Sequence, residues 1–323
     1  MLIKNRQVPL RMKMDEALLR RLPANHYKRK IIEEDFAKRK AGYDGEQAID
    51  YFINRLPSHI FHIFHDLRLN VNSHYFQIDT LLLSQYFTII IEIKNIVGTL
   101  YFDTISKQFI RKLEDREEGF RDPIIQVKEQ KELLNEWFEV RGLSSFPIET
   151  LIGISNPSTI VTASKNSHHI YKKVLHFEHL KDRIFELMDQ HKRSRITNRE
   201  LLEIGNSLQH EHAPLVQDVT KIYGIESTEV GKGVYCNVCT QLSMVRGHGR
   251  WKCLKCGKTC RTGHIQAIQD YLLLVDRFIT NKDCRSFLKL KDPAAASRIL
   301  KSTGLPWKGG YKDRRYFLPE MLK

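Results

Sequence analysis

Residues 77–94, QIDTLLLSQYFTIIIEIK, decide how the rest of the chain is read. Apolar and β-branched residues run on both sides of a polar break at Ser84-Gln85, the pattern of a β-hairpin buried on both faces. Because neither Gln85 nor Tyr86 is the glycine that a tight primed turn prefers, a loop of about four residues is expected. A turn centred there sets Asp79 opposite Glu92 on one face of the ladder, and alternation sends Lys94 to that same face. Two facing carboxylates repel, and their burial is unfavourable unless a cation compensates. A hard divalent ion such as Mg²⁺ or Mn²⁺ held by Asp79 and Glu92, with Lys94 positioning a water or stabilising charge, suits hydrolysis of a phosphodiester. The plainer alternative makes Asp79 a strand-edge cap and Glu92 and Lys94 a solvated pair on an edge strand, although the flanking residues are too uniformly apolar for an edge.

Working outward, Gly42-Tyr43-Asp44-Gly45-Glu46, Gln77-Ile78-Asp79, Glu92-Ile93-Lys94-Asn95, Gly98 and Asp122-Pro123-Ile124-Ile125-Gln126 follow one another over about residues 40–140. In this order and spacing they resemble the motifs of the nuclease-related domain (NERD) family, which is assigned to the PD-(D/E)XK nuclease superfamily. The resemblance implies a restriction-endonuclease-like α/β fold, a mixed sheet flanked by helices, over residues 41–155. It also supports Glu46 as a third acidic group at the site; without it, a first-turn Glu favouring the helix dipole is an equal reading. The sequence departs from the family pattern at Thr80, where a His commonly follows the Asp, and in the hairpin turn, which has no glycine.

The chain has 323 residues, enough for two or three domains, and a formal net charge of +14 that is unevenly spread. Residues 1–40 carry 12 Lys/Arg against 5 Asp/Glu, residues 231–323 carry 19 against 6, and the section between them is net acidic. An acidic catalytic section between basic flanks favours a polyanionic partner, nucleic acid, with DNA ahead of RNA; basic tails that merely aid solubility or bind RNA nonspecifically are the alternative. There is no secretory signal and no apolar run long enough to span a bilayer, so a cytoplasmic protein without a membrane partner is expected.

Along the chain, residues 1–40 read as a basic helical arm, and residues 46–56 as a helix with Ile49, Phe52, Ile53 and Leu56 inward. Phe61 to Leu69 reads as a strand on which His59, His62 and His65, spaced by three, are expected at the surface. A second hairpin follows at Gly98–Phe102 and Gln108–Arg111, and the charged run Glu114–Glu118 reads as a solvated loop. Asp122-Pro123 starts a helix reaching about Glu139, with Asp as N-cap and Pro in the first turn. At least one of Gln126 and Gln130 should face the sheet, Gln126 being the candidate for holding a water or phosphate. Ile148 to Ile154 completes an α-β-β-β-α-β order. Residues 156–230 read as a helical connector, in which His210 and His212 are expected to be exposed.

Cys236-x-x-Cys239 and Cys253-x-x-Cys256, separated by thirteen residues, hold five of the six cysteines together with Cys260. Four thiolates in two knuckles fit a structural, tetrahedral Zn²⁺ in a ribbon at residues 231–262; Cys260 and His248 fit less well as ligands, and a redox use of two close CxxC pairs is disfavoured. Arg246 and Arg250 flank a basic hairpin tip in this ribbon. Residues 263–323 read as helices 265–279, 284–288 and 294–302 followed by a Gly-turned basic hairpin, resembling a winged helix-turn-helix. In that reading Arg298 and Lys301 are exposed on a recognition helix, with Lys308, Lys312, Arg314 and Arg315 in the wing. The expected activity is metal-dependent nuclease action carried by Asp79, Glu92, Lys94, Glu46 and Gln126. The competing expectations are a non-catalytic nucleic-acid-binding protein that uses the fold as a scaffold, and a transcription regulator.

Overall fold

The computed structural model describes residues 1–311 and 313–319. The chain forms two compact units, Met1–Gln7 with Ala41–Ala213, and Val8–Lys40 with Pro214–Lys323. The expected arm 1–40 is therefore divided. Its opening residues form a strand of the first unit, while α1 (Leu10–Arg21) and the start of α2 (Arg29–Ile53) belong to the second. The helix α2 is continuous through Gly42 and Gly45, where the sequence suggested a start after them.

The strands of the first unit are β1 (Leu2–Lys4), β2 (His62–Val71), β3 (His74–Leu83), β4 (Thr88–Lys94), β5 (Thr99–Asp103), β6 (Gln108–Lys112), β7 (Glu117–Phe120), β8 (Ile148–Ile154), β9 (Ile160–Ala163) and β10 (Val174–His176). A six-stranded mixed sheet runs β1-β2-β3-β4-β8-β10, and a smaller sheet runs β7-β6-β5-β9. The β3–β4 register pairs Leu83 with Thr88 and Thr80 with Ile91, so Asp79 and Glu92 are the next positions along the ladder, as the symmetric turn required. Ser84 replaces the absent glycine in the four-residue loop. Its hydroxyl donates to Phe87 O (2.7 Å) and accepts from the Tyr86 and Phe87 N–H groups (3.2 Å each).

Alternation along β3 and β4 splits the apolar residues between two cores. Leu81, Leu83 and Ile90 pack with Trp137 and Phe138 of α3 (Pro123–Glu139), whereas Leu82, Ile89, Ile91 and Ile93 pack with Ile49 and Ile53 of α2. The first core also takes Leu201, Ile204 and Leu208, and the second takes Leu180, Ile184 and Leu187. Asp122 caps α3 by accepting from the Ile124 N–H (2.8 Å), as its Asp-Pro start predicted.

Three local expectations are corrected. Part of the charged run 114–118 is strand β7, because Glu117 and Glu118 stand directly opposite Lys112 and Arg111 on β6 and pair with them. Residues 156–230 are not wholly helical: β9 joins β5 in parallel and β10 extends the main sheet beside β8. His62 and His65 are buried instead of exposed, since both lie on the twice-covered strand β2.

In the second unit the cysteine segment forms a four-stranded sheet, β11 (Val234–Cys236), β12 (Gln241–Arg246), β13 (Trp251–Cys253) and β14 (Thr259–Cys260). After it, Gly263–Leu274 is helical, but Phe278–Ile279 is a strand paired with Arg315–Phe317, which shortens the helix expected to reach 279. Helices Asn281–Leu288 and Pro293–Ser302 and the strand Trp307–Lys308 complete this part. Val234 and Trp251 of the cysteine sheet share one core with Ala17 and Leu18 of α1 and Ile268 of the following helix. Arg21, fully buried, donates to Asp270 (2.8 Å) and to the carbonyls of Gly231 (3.2 Å) and Gly233 (2.6 Å), tying α1 to that core.

The two glycines of α2 give a test of this packing. A Cβ at Gly45 would lie 2.5 Å from Asn95 Cβ and 2.6 Å from Ser155 Oγ, whereas one at Gly42 meets nothing within 4 Å. Gly42→Ala should stabilise by about 0.5–1 kcal/mol through helix propensity. Gly45→Ala should instead destabilise by about 1–3 kcal/mol through overpacking, both read by urea denaturation.

Candidate active site and metal centre

The sequence-predicted residues Asp79, Glu92, Lys94 and Gln126 come together at the end of the β3–β4 ladder, under α3. Asp79 is buried, and its Oδ2 accepts from the Ile93 N–H (2.9 Å). Lys94 Nζ donates to Glu92 Oε1 (2.7 Å) and to Gln126 Oε1 (3.0 Å). Gln130, one turn further along α3, donates from Nε2 to Glu92 Oε2 (2.9 Å) and to Gln77 O (2.8 Å). Both glutamines therefore face the sheet, and each grips a different member of the Glu92–Lys94 pair. Glu46 reaches the site from α2 and is held by Arg6, whose Nη1 lies 2.6 Å from Glu46 Oε2. The close approach of α2 at Gly45 to Asn95 and Ser155, just past β4 and β8, brings Glu46 to that end of the sheet.

Electrostatics at this cluster run against ionisation. Burial, then the neighbouring Glu92 and Glu46 carboxylates, push Asp79 well above the usual carboxylate range. Burial raises Glu46 to about 7 against the pull of Arg6. Beneath them His65 is lowered to about 4 by burial and is neutral, sitting 3.1 Å from Thr80 Oγ1 and 3.0 Å from Asn54 Oδ1. Thr80, in the position where a His is common in the resembled family, is thus an integral part of a polar network. Arg6, Asp50 and His65 carried no local signal in the sequence: Arg6 is 73 residues from Asp79, and only the parallel pairing of β1 with β2 brings it there.

The residues fit a divalent cation in charge and in hydrogen-bonding capacity. Asp79, Glu92, Glu46 and Asp50 face two cations, Lys94 and Arg6, and Gln130 Oε1 is buried with no partner. The acids are not drawn together as tightly as the thiolates. Among the described residues, the group whose ligand atoms all lie within 4.8 Å of one another is Cys236, Cys239, Cys253 and Cys256.

That quartet fits zinc. The Cys236–Cys256 and Cys239–Cys253 sulfurs are 3.6 and 3.5 Å apart, close to the edge of about 3.8 Å of a tetrahedron with Zn–S near 2.3 Å. Ser243 Oγ (3.0 Å) and the Cys256 N–H (3.4 Å) both approach Cys253 Sγ, contacts that favour the thiolate a metal requires at that position. His248 and Cys260 lie outside the group. Of the expected surface cations, Arg250 is exposed, whereas Arg246 is half-buried over the Trp251 ring (5.3 Å). Arg298 and Lys301 are exposed on their helix, Arg298 lying 3.6 Å from Asp292. Arg314 is half-buried over Trp307 (3.9 Å), Arg315 is exposed over Phe278 (4.5 Å), and Lys312 lies outside the described residues.

The first unit is thus a mixed α/β domain with an Asp–Glu–Lys cluster at one end of its sheet, and the second contains a zinc-ribbon-like module. Residues 41–155 match the family model of the nuclease-related domain, NERD. No curated protein and no solved structure matches the chain. Among the described residues, no helix is long and apolar enough to cross a membrane.

Two measurements follow from these sites. Because Glu46 and Asp79 hold protons more tightly folded than unfolded, the metal-free protein should lose stability as pH rises from about 4.5 through about 7. Mg²⁺ should therefore raise the Tm more at about pH 8 than at about pH 5.5, and equal increments at the two pH values would contradict a carboxylate site. Zinc analysis should find one ion per chain, lost in Cys239→Ser together with thermal stability.

Proposed function

We propose that the protein is a metal-dependent nuclease, hydrolysing phosphodiester bonds in nucleic acid, with DNA the favoured substrate. The observation that carries this reading is the convergence of Asp79, Glu92 and Lys94 on one buried face, with Gln126 and Gln130 of α3 bonded to the Lys and the Glu. Asp79 and Glu92 are the residues that would hold Mg²⁺ or Mn²⁺, which when bound polarises the phosphate and acidifies a water. Lys94, fixed between Glu92 and Gln126, supplies a cation to the developing phosphorane charge or orients the attacking water. Glu46, raised to about 7 by burial, would be the residue to accept a proton from an attacking water. Gln130 holds Glu92 in place, and its buried, unpartnered Oε1 would be available to accept a hydrogen bond there.

The second unit would deliver the substrate. Its last part has the order helix, strand, helix, helix, strand, strand, with the closing strands in a three-stranded antiparallel sheet, which supports a winged-helix-like reading. There the exposed Arg298 and Lys301 of Pro293–Ser302, with Arg250 of the ribbon and Arg315 of the wing, would contact phosphates. Arg314 and Arg246 are better suited to shaping their aromatic platforms than to free phosphate contact. A cytoplasmic setting agrees with a cysteine site that needs reduced thiols. The competing reading, a nucleic-acid-binding protein in which the nuclease fold is a scaffold, is favoured by one observation: Glu46, Asp79 and Glu92 do not form a group within ligand distance of one another.

Cleavage of labelled single-stranded, duplex and nicked DNA, and of RNA, with Mg²⁺ or Mn²⁺ separates the two. The nuclease reading expects metal-dependent products, with Asp79→Ala inactive and Lys94→Ala slowed by about 10²–10³-fold. A wild type that binds every substrate and cuts none would leave only the scaffold. In the binding assay, Arg298→Ala and Lys301→Ala should each reduce the slope of log Kobs against log[salt] by about one.

A further inference from the structure

The N-terminal strand places an arginine inside the carboxylate cluster from outside the stretch that matches the nuclease-related domain. β1 pairs in parallel with β2, Leu2 against Ile63 and Lys4 against Phe64, and two residues later Arg6 enters the site. Its guanidinium side chain is 3% exposed and every nitrogen is engaged. Nη1 donates to Glu46 Oε2 (2.6 Å), Nε to Asp50 Oδ2 (2.7 Å), and Nη2 to Asp50 Oδ1 (3.0 Å), Asp79 O (2.9 Å) and Thr80 Oγ1 (3.2 Å). One planar group thus joins α2, which supplies Glu46 and Asp50, to the strand that supplies Asp79. A lysine, with a single point charge, cannot match that fork. The other cation of the cluster, Lys94, is bonded to Glu92 and Gln126, so the Glu46 side of the site depends on Arg6 for its counter-charge.

We propose that Arg6 is a positioning residue of the proposed nuclease site: it neutralises the acidic cluster before the ion arrives and fixes the Glu46 carboxylate toward Asp79 and Glu92. This rests on the nuclease reading for its catalytic consequence and on charge geometry alone for its effect on the ion. The segment that follows β1 is then part of the active site, and the functional domain includes residues 1–7 as well as the stretch from residue 41. Two separable roles follow. Counter-charge at Arg6 weakens cation binding, because its positive charge stands beside Asp79 and opposes a second cation there. The fork geometry sets Glu46, and so sets turnover without altering how the nucleic acid is held.

The full-length chain tests both, with Mn²⁺ as the probe ion followed by calorimetric titration, cleavage kinetics measured in parallel, and thermal melts confirming that each variant is folded at the assay temperature. Arg6→Gln should bind Mn²⁺ severalfold more tightly than wild type while kcat falls by about 10–100-fold at an unchanged KM. Arg6→Lys should return Mn²⁺ affinity to near the wild-type value but leave kcat low. Arg6→Gln combined with Glu46→Gln should be no slower than Glu46→Gln alone, because Arg6 acts through Glu46. If Arg6→Gln and Arg6→Lys change only the Tm, with Mn²⁺ affinity and kcat of the folded protein as in wild type, Arg6 is a structural cross-link and the proposal fails. If wild type never cuts but Arg6→Gln still tightens Mn²⁺, the charge-compensation inference stands and it is the nuclease reading that falls.

Discussion

The first unit depends on keeping like charges together inside an apolar hairpin. Asp79 and Glu92 sit one position beyond the Thr80–Ile91 pair of the β3–β4 ladder, where both faces of the sheet are covered by helices. Donors offset part of the repulsion: the Ile93 N–H on Asp79, Lys94 and Gln130 on Glu92, and Arg6 on Glu46 beside them. The compensation is incomplete, as the raised proton affinities of Asp79 and Glu46 record. A divalent cation, as proposed for the nuclease reading, would supply the positive charge that this cluster is short of.

The fold supplies these donors from distant parts of the chain. α3 presents Gln126 and Gln130 four residues apart on its inward face, while β4 presents Glu92 and Lys94 two residues apart on one face. A helix period and a strand period thus meet at matched spacings. On the other side, α2 approaches closely enough at Gly45 to leave no room for a Cβ, which delivers Glu46 and Asp50 to Arg6. Beneath that, neutral His65 and Thr80 complete the network in place of further charge.

In the second unit the basic surplus of residues 1–40 changes meaning once the fold is known. Arg21 and Arg20 bond Asp270, and Arg11 and Arg39 bond Asp15, so much of this charge is spent in ion pairs and is not displayed to a polyanion. Net charge over a segment is a weak guide when its arginines are amphipathic core residues; their long stems pack while the heads find acids far along the chain. Exposed cations remain at Lys30 and Lys38 of this segment, and others stand on the ribbon tip and the last helix, where Arg250, Arg298 and Lys301 have open surface.

What the sequence determined by itself is local and periodic. Alternation on each side of Ser84-Gln85 fixed the hairpin, its register and the shared face of Asp79, Glu92 and Lys94; Asp122-Pro123 fixed the start of α3; and the two CxxC knuckles fixed the cysteine site. These follow because a strand repeats every two residues, a cap acts within one turn, and a knuckle closes on itself. The tertiary structure alone decided which distant groups share the buried space. It joined β1 to β2 and so brought Arg6 to Asp79, covered β2 so that His65 lies inside, recruited Glu117 and Glu118 as a strand opposite Arg111 and Lys112, and gave the ribbon a core with α1. The physical reason is that a long-range ion pair or a parallel strand contact is written in no local period. It is favourable only after the sheet has removed both partners from water, and a sequence displays the partners without their meeting.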